Sequence, residues 1–159
     1  AVMLIVTSHG HLDCLQYLHS LGYAWGKSST YNAAEGGHLD CLQYLHQHDC
    51  PWDTTVTSAA ASQGHLACLQ YLHVNGCPWD ENTTLWATEQ GHFDCMFYAI
   101  EHGCPYNERE ILIAAAQSGC IKSLKYLVET RNVKINDSAA FAEAFCRTHF
   151  ESVKYLVDV

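Results

Sequence analysis

A ten-residue phrase returns along the chain at a nearly constant interval, and this repetition limits the possible folds more than any other feature. The phrase reads Gly-His-Leu-Asp-Cys-Leu-Gln-Tyr-Leu-His in its first copy. Copies begin at Gly10, Gly37, Gly64 and Gly91, each 27 residues after the last, and weaker copies begin at Gly119 and Thr148. A fixed period of this size is typical of stacked repeats, in which no single unit buries its own apolar face. We therefore predict six repeats that fill the chain as one array.

Each repeat is predicted to be a pair of short helices. In the third copy Asp53 precedes residues 54–63, which contain no Gly or Pro, and Asp is a favoured helix N-cap. Gly64 then ends this helix where a left-handed residue is needed. In residues 65–74 the leucines recur every three positions, which indicates a second helix with one buried face. Pro78 lies just beyond it and cannot continue it.

The spacing excludes two other repeat architectures. Leucine-rich repeats have a compatible length but need a strand with leucines two positions apart, whereas the leucines here lie three apart. The Trp-Asp pairs at 52–53 and 79–80 are found in propeller blades as well. A blade spans roughly 40 residues and contains four alternating strands, which this sequence lacks. Helix pairs remain as the predicted unit.

Residues 60–72 read Ala-Ala-x-x-Gly-His-Leu-x-Cys-Leu-x-Tyr-Leu, which resembles the ankyrin pattern Ala-Ala-x-x-Gly-His-x-x-Ile-Val-x-x-Leu-Leu. Residues 76–80, Gly-Cys-Pro-Trp-Asp, stand where an ankyrin repeat has Gly-Ala-x-x-Asn. Ankyrin repeats are about 33 residues long, and the residues missing here lie where that family carries its β-hairpin finger. The chain resembles the short 27-residue Cys-Pro-Trp-Asp variant that is typical of protists and large DNA viruses.

The repeat and the resemblance together predict an all-α fold, an ankyrin-like α-solenoid of six stacked helix-pair repeats with shortened, finger-poor connections. The predicted repeats cover approximately residues 1–25, 26–52, 53–79, 80–106, 107–136 and 137–159. Terminal repeats normally carry polar outer faces, but residues 1–6 are apolar. We therefore expect the chain to be a fragment of a longer array.

The nine cysteines occur mostly at fixed positions of the repeat. Under the resemblance, Cys41, Cys68 and Cys95 occupy a position where ankyrins place Ile, and Cys50, Cys77 and Cys104 one where they place Ala. Cysteine at such positions behaves as a small apolar residue, so we expect reduced interior thiols rather than a disulfide framework. This predicts a cytoplasmic, reducing compartment. No run of 18 apolar residues exists, which predicts no membrane span.

The net charge of −9 is distributed unevenly. Residues 1–108 contain eleven acidic residues and a single basic one, Lys27, whereas residues 109–159 contain six acidic and seven basic residues. An acidic array offers no electrostatic footprint for a phosphate backbone. We therefore predict another protein as the partner, with a basic patch that the acidic repeats would attract. Nucleic acid, membrane and small-molecule substrates are not expected.

One recurring pattern could carry chemistry, namely His-x-x-Cys at the start of each second helix. It occurs as His11/Cys14, His38/Cys41, His65/Cys68 and His92/Cys95. Three-residue spacing places both side chains on one helix face, but two ligands do not complete a tetrahedral metal site. The resemblance assigns the histidine a structural role instead. We predict no catalytic residue, no metal and no cofactor, and therefore no enzyme.

Positions that vary between otherwise similar copies predict the binding residues. The fifth position before each glycine holds Ile5, Asn32, Ala59, Trp86 and Ala114, and the sixth holds Leu4, Tyr31, Ser58, Leu85 and Ile113. In ankyrin repeats the fifth, second and first positions lie on the concave face of the first helix. The candidate partner-binding residues are Tyr31, Asn32, Glu35, Gln63, Leu85, Trp86, Glu89, Gln90 and Gln117. Trp86 is either an interface anchor or a packing residue between repeats.

The sequence therefore predicts a non-catalytic protein–protein interaction module that binds its partner on the repeat face. Two alternatives stay open. The array could be a structural spacer or assembly scaffold. It could also be a substrate adaptor for ubiquitin ligation, if an F-box lies outside this segment.

Overall fold

A computed structural model describes residues 2–134 and 150–158, and both ranges contain helices and connecting segments but no strand. The helices are α1 Val2–Ser8, α2 Leu12–Ser20, α3 Lys27–Glu35, α4 Leu39–Gln47, α5 Thr54–Ser62, α6 Leu66–Val74, α7 Glu81–Glu89, α8 Phe93–Glu101, α9 Glu108–Ser118, α10 Ile121–Lys125 and α11 Phe150–Asp158. A π-helical turn, Tyr126–Thr130, continues α10. The end of the predicted fifth repeat and the first part of the sixth lie outside the described residues.

The helices fall into two compact units, Ala1–Trp79 and Asp80–Val159, whose boundary coincides with that between the predicted third and fourth repeats. In the first unit the odd-numbered helices α1, α3 and α5 pack side by side, and each also packs against its own second helix. In the second unit α7 packs against α9, and α10 contacts both α8 and α11. Each unit thus contains one layer of first helices and one layer of second helices.

Acidic or amide side chains begin several of the first helices, as the sequence predicted. Asp53 accepts a hydrogen bond from the backbone N–H of Thr55 (3.1 Å), and Asp80 accepts one from that of Asn82 (3.0 Å). Asn107 caps α9 in the same way. A cap of this type stabilises a helix by about 1 kcal/mol because it satisfies an N–H that has no partner within the helix.

The glycine of each phrase leaves room for the histidine of the next repeat. Gly37 has a left-handed backbone (φ 72°), and a Cβ added there would lie 2.5 Å from Nδ1 of His65. Nε2 of the same histidine donates a hydrogen bond to the backbone carbonyl of Glu35 (3.0 Å). Gly10 and His38 repeat this arrangement one repeat earlier, with the carbonyl of Ser8 as acceptor. The Gly-His pair is therefore a contact between repeats as well as a turn.

The core of each unit is built from leucines of the second helices and small side chains of the first. Leu42, Leu45, Leu69 and Leu72 are fully buried. Ala33, Ala34, Ala60 and Ala61 are fully buried as well, and their small size allows the first helices to approach closely. Burying a leucine side chain contributes roughly 2 kcal/mol, so the leucine spacing of the phrase accounts for much of the stability of the array.

Hydrogen bonds from threonine and cysteine also join adjacent repeats. The hydroxyls of Thr30, Thr57 and Thr84 donate to the carbonyls of Pro51, Pro78 and Pro105 at 2.9–3.0 Å. The thiols of Cys50, Cys77 and Cys104 donate to the carbonyls of Gly26, Asp53 and Asp80 at 3.2–3.5 Å. The Cys-Pro step of the repeat therefore supplies a donor and an acceptor to the preceding repeat. Burial of these cysteines confirms the prediction that they are interior residues.

The connections between repeats are short. Residues 21–26, 48–53, 75–80 and 102–107 separate a second helix from the next first helix, and none of these segments contains a strand. This confirms the prediction of shortened connections without β-hairpin fingers.

Gly37→Ala is expected to destabilise the first unit by about 3 kcal/mol. Roughly 1–2 kcal/mol comes from the left-handed backbone and the remainder from the clash with His65. Gly91→Ala is the matched control, since Gly91 has a similar φ of 76° but its nearest neighbour to an added Cβ is 3.9 Å away. We expect the control to cost only the backbone part. Urea unfolding of both variants measures the difference, and equal losses would contradict a role for the histidine contact.

Candidate functional site

Three of the predicted binding residues lie together on α3 in the first unit. Tyr31 is half-buried, and its hydroxyl donates to the carboxylate of Glu35 (3.2 Å). Burial and the neighbouring Glu35 carboxylate both raise the pKa of Tyr31. The side-chain amide of Asn32 donates to the backbone carbonyl of Leu4 on α1 (3.5 Å). Tyr31 and Asn32 are thus held in place by neighbours, while Glu35 remains exposed.

An open groove of about 400 Å³ lies beside Tyr31 and Asn32. Its other lining residues are Leu4, Lys27, Ser28, Asp53 and Thr55. The Lys27 ammonium and the Asp53 carboxylate lie 2.9 Å apart across the groove. A hydrogen bond from Thr55 and the nearby Lys27 hold the pKa of Asp53 below its usual value.

Sequence reasoning missed Lys27 and Asp53 as groove residues. A signal for Lys27 was present, since it is the only basic residue before Arg109. Asp53 was identified only as a helix cap, and it performs that role as well. One carboxylate therefore both begins α5 and neutralises the lysine of the groove.

The second group of predicted residues lies on α7 and α9 of the second unit. Trp86 is 40% exposed, and Leu85 beside it is half-buried. Glu89 and Gln90 are exposed at the C-terminal end of α7. Gln117 is half-buried on α9, the helix that packs against α7. An aromatic side chain with this exposure, beside flexible polar groups, has the composition of a protein-binding surface.

Variation between copies did not always indicate exposure. Gln63 is exposed at the end of α5, as predicted, but Ser58, Ala59 and Ala114 each retain only 2% of their accessible surface. At the fifth position only the longer side chains reach solvent, such as Ile5 at 59% and Trp86. The inference that a variable position is free to face a partner is therefore wrong where the residue is small.

The His-x-x-Cys pattern does not form a reactive pair. His38 and His65 each donate to a backbone carbonyl of the preceding repeat. Cys41 and Cys68 lie in the core, where burial raises the pKa of each thiol to about 11. A nucleophilic cysteine needs a lowered pKa and access to solvent, so this environment is unsuited to catalysis. In the described part of the chain no three His, Cys, Asp or Glu residues converge to hold a metal ion.

A second role of histidine was not predicted from the sequence. The last histidine of the phrase stacks on the tryptophan six positions later, with His46 and Trp52 at 4.0 Å and His73 and Trp79 at 4.0 Å. Nδ1 of His46 also shares a hydrogen bond of 2.8 Å with the hydroxyl of Tyr71 in the next repeat. This confirms the structural role predicted for Trp52 and Trp79.

The family model described as ankyrin repeats (3 copies) matches residues 2–77 and 57–139. The chain belongs to the ankyrin repeat family. Members of this family generally bind other proteins, and their fold is typically not enzymatic. No curated protein sequence shows significant similarity to the chain. None of the described helices of this ankyrin repeat protein is long and apolar enough to cross a bilayer.

Among solved structures, the chain is similar to the crystal structure of the ankyrin repeat domain of human ASB11, with a TM-score of 0.84. The two share 18% sequence identity, and the similarity covers 99% of this chain and 83% of that one. At this identity the likeness shows the fold alone. It confirms the all-α ankyrin solenoid that the repeat pattern predicted.

Native alkylation is expected to distinguish the thiols of this ankyrin array. Cys14 is exposed, whereas Cys41, Cys68 and Cys77 are buried and have raised pKa values. Iodoacetamide at pH 8 should label Cys14 rapidly and the buried thiols only after denaturation, because the thiolate is the reactive species. Peptide mapping by mass spectrometry measures each site. Labelling of Cys77 at the rate of Cys14 in the folded protein would refute the assignment.

The protein is expected to lose stability between pH 9 and pH 11. Burial raises the pKa of Cys41 and Cys68 to about 11 and that of Cys77 to about 12, from an ordinary value of 9.0. Above pH 9 the unfolded chain releases these protons while the folded chain keeps them, so the free energy of unfolding falls as pH rises. Urea midpoints measured from pH 8 to 10.5 test this. A Cys68→Ala variant should show a shallower decline, and an unchanged slope would exclude this thiol as a cause.

Proposed function

We propose that this chain is a non-catalytic recognition module that binds a protein partner through the surfaces of its first helices. The observation that carries the proposal is the groove of about 400 Å³ lined by Tyr31 and Asn32. Both residues stand at positions that vary between repeats, and both are oriented by hydrogen bonds to their neighbours. Side chains that are already ordered lose little entropy when a partner binds.

The partner of the groove carries a basic patch. Lys27 is paired with Asp53, and Glu35 remains exposed above Tyr31. The eleven acidic residues of residues 1–108 supply a long-range attraction for cations. A lysine or arginine of the partner can replace water at Glu35 while its aliphatic stem packs on the Tyr31 ring.

In the second unit, Trp86 anchors the partner. It exposes 40% of its surface beside Leu85, Glu89 and Gln90. Tryptophan is enriched among interface residues that contribute most of the binding energy, because it buries a large rigid surface. Nucleic acid, membranes and small-molecule substrates fall outside this function, and the buried thiols are suited to a reducing, cytoplasmic compartment.

A capture experiment with matched variants tests the proposal. Immobilised wild type and a Tyr31→Ala/Trp86→Ala variant are incubated with lysate of the source cell, and captured proteins are quantified by mass spectrometry. A Tyr17→Ala/Tyr23→Ala variant is the control, since these exposed tyrosines lie outside the proposed surfaces. We expect a protein that wild type and control both capture and that the Tyr31/Trp86 variant loses by at least tenfold, as removal of an anchor predicts.

The opposite outcome would favour a spacer or scaffold. If all three baits capture the same proteins, or none, while their thermal unfolding is the same, the first-helix surfaces do not recognise a partner. The two single variants then show whether one unit binds alone.

A further inference from the structure

One exposed position of the second helices changes its chemistry between the two units. Six residues after each phrase glycine, the first three repeats all carry glutamine, namely Gln16, Gln43 and Gln70. The next three carry Phe97, Lys125 and Lys154. Phe97 is 42% exposed, and both lysines are exposed. A packing requirement does not account for the change, because the position faces solvent in both units.

The aromatic part of this surface has a rigid base. The Phe97 ring lies 5.7 Å from the ring of Phe93 and 5.2 Å from that of Tyr126, measured between centroids. Tyr126 is 8% exposed, and its hydroxyl donates to the carboxylate of Glu101. Phe97 thus stands on an ordered aromatic cluster, where an apolar side chain of a partner can pack at little entropic cost.

A small groove adjoins the two lysines. It holds about 180 Å³ between α10 and α11 and is lined by Ile121, Lys125, Glu151, Lys154 and Tyr155. This is below the roughly 300–1,000 Å³ of small-molecule sites, and it accommodates a single side chain. The Lys125 ammonium lies 5.8 Å from the centre of the Tyr155 ring, a cation–π distance that orients it beside the groove.

The cations of this surface are available to a partner, whereas two of its carboxylates already have hydrogen-bond donors. Glu129 accepts from the hydroxyl of Tyr155 (2.9 Å), and Glu101 accepts from Tyr126. Among the described residues no carboxylate lies within ion-pair distance of Lys122, Lys125 or Lys154. Asp94 and Glu151 are the remaining acidic residues of this face, so three lysines stand against two carboxylates.

We propose that this face, formed by Phe97, Ile121, Lys125, Lys154 and Tyr155, docks an extended acidic peptide segment of a partner protein. Neighbouring helices lie about 8–10 Å apart, and an extended chain rises about 3.3 Å per residue. Three residues of such a chain therefore span one repeat. The segment has an apolar residue for Phe97, followed at three-residue intervals by two acidic residues for Lys125 and Lys154.

This surface is distinct from the first-helix surfaces of the proposed function and can be tested without knowing that partner. The probe is a fluorescein-labelled nonapeptide in which a leucine is followed at three-residue intervals by two glutamates, with serine and alanine elsewhere. Fluorescence polarisation measures its binding to the full chain. A second peptide, with both glutamates replaced by glutamine, has the same length and apolar residue.

The decisive variants restore the residue that the first unit carries. Lys125→Gln/Lys154→Gln should weaken binding about tenfold, as expected for loss of two charge-assisted contacts, and Phe97→Gln should weaken it several-fold. Gln16→Ala/Gln70→Ala changes the same position in the first unit and should leave the affinity within about twofold. Tyr31→Ala/Trp86→Ala should bind the peptide as wild type does, which separates this inference from the proposed function. Thermal unfolding of each variant establishes that it is folded.

Three results would overturn the inference. The first is equal binding of the glutamate and glutamine peptides, and the second is an unchanged affinity in folded Lys125→Gln/Lys154→Gln. The third is no saturable binding up to about 1 mM peptide, the weak limit of specific recognition. A single-stranded RNA oligonucleotide included in parallel assigns the lysines to another class of partner if it binds more tightly than the peptide.

Discussion

The fit of a histidine over the glycine of the preceding repeat is the interaction on which the rest of the array depends. A glycine without a side chain lets the next imidazole lie against its backbone, and that imidazole satisfies a carbonyl at the end of the preceding first helix. Because such carbonyls have no partner within their own helix, the contact sets the relative position of two repeats. The leucine core, the threonine and cysteine bonds and the exposed grooves all follow from that position.

Most of the fold could be predicted because the information is local and repeated. Aspartates at helix starts, glycines at left-handed turns and leucines at three-residue spacing each act within one repeat, and all were found where the sequence placed them. The histidine contacts with tryptophan and tyrosine could not be predicted in this way, since they join residues of different repeats. A periodic sequence shows which residues recur but not which neighbour each one meets.

The candidate site was only partly predictable for a related reason. Variation between repeats pointed to Tyr31 and Asn32, which line a groove, but also to Ala59, which is buried. Exposure depends on side-chain length as well as position, and the sequence pattern records only position. The same comparison between repeats was more informative on the second helices, where Gln16, Gln43 and Gln70 give way to Phe97, Lys125 and Lys154. A change of chemistry at a position already known to be exposed is a stronger signal than variation alone.

The short connections have a consequence for how this protein is degraded. Their cysteine thiols and proline carbonyls are bonded to the preceding repeat, and they have only six residues between helices, as in 48–53 and 102–107. A protease needs several residues of extended chain in its active site, and surface loops usually provide them. Here such a segment becomes available only when a neighbouring helix unfolds, because the connection has no slack. Resistance to proteolysis within each unit is therefore set by the opening of whole repeats, and a partner that holds two adjacent repeats together would lengthen the lifetime of the protein.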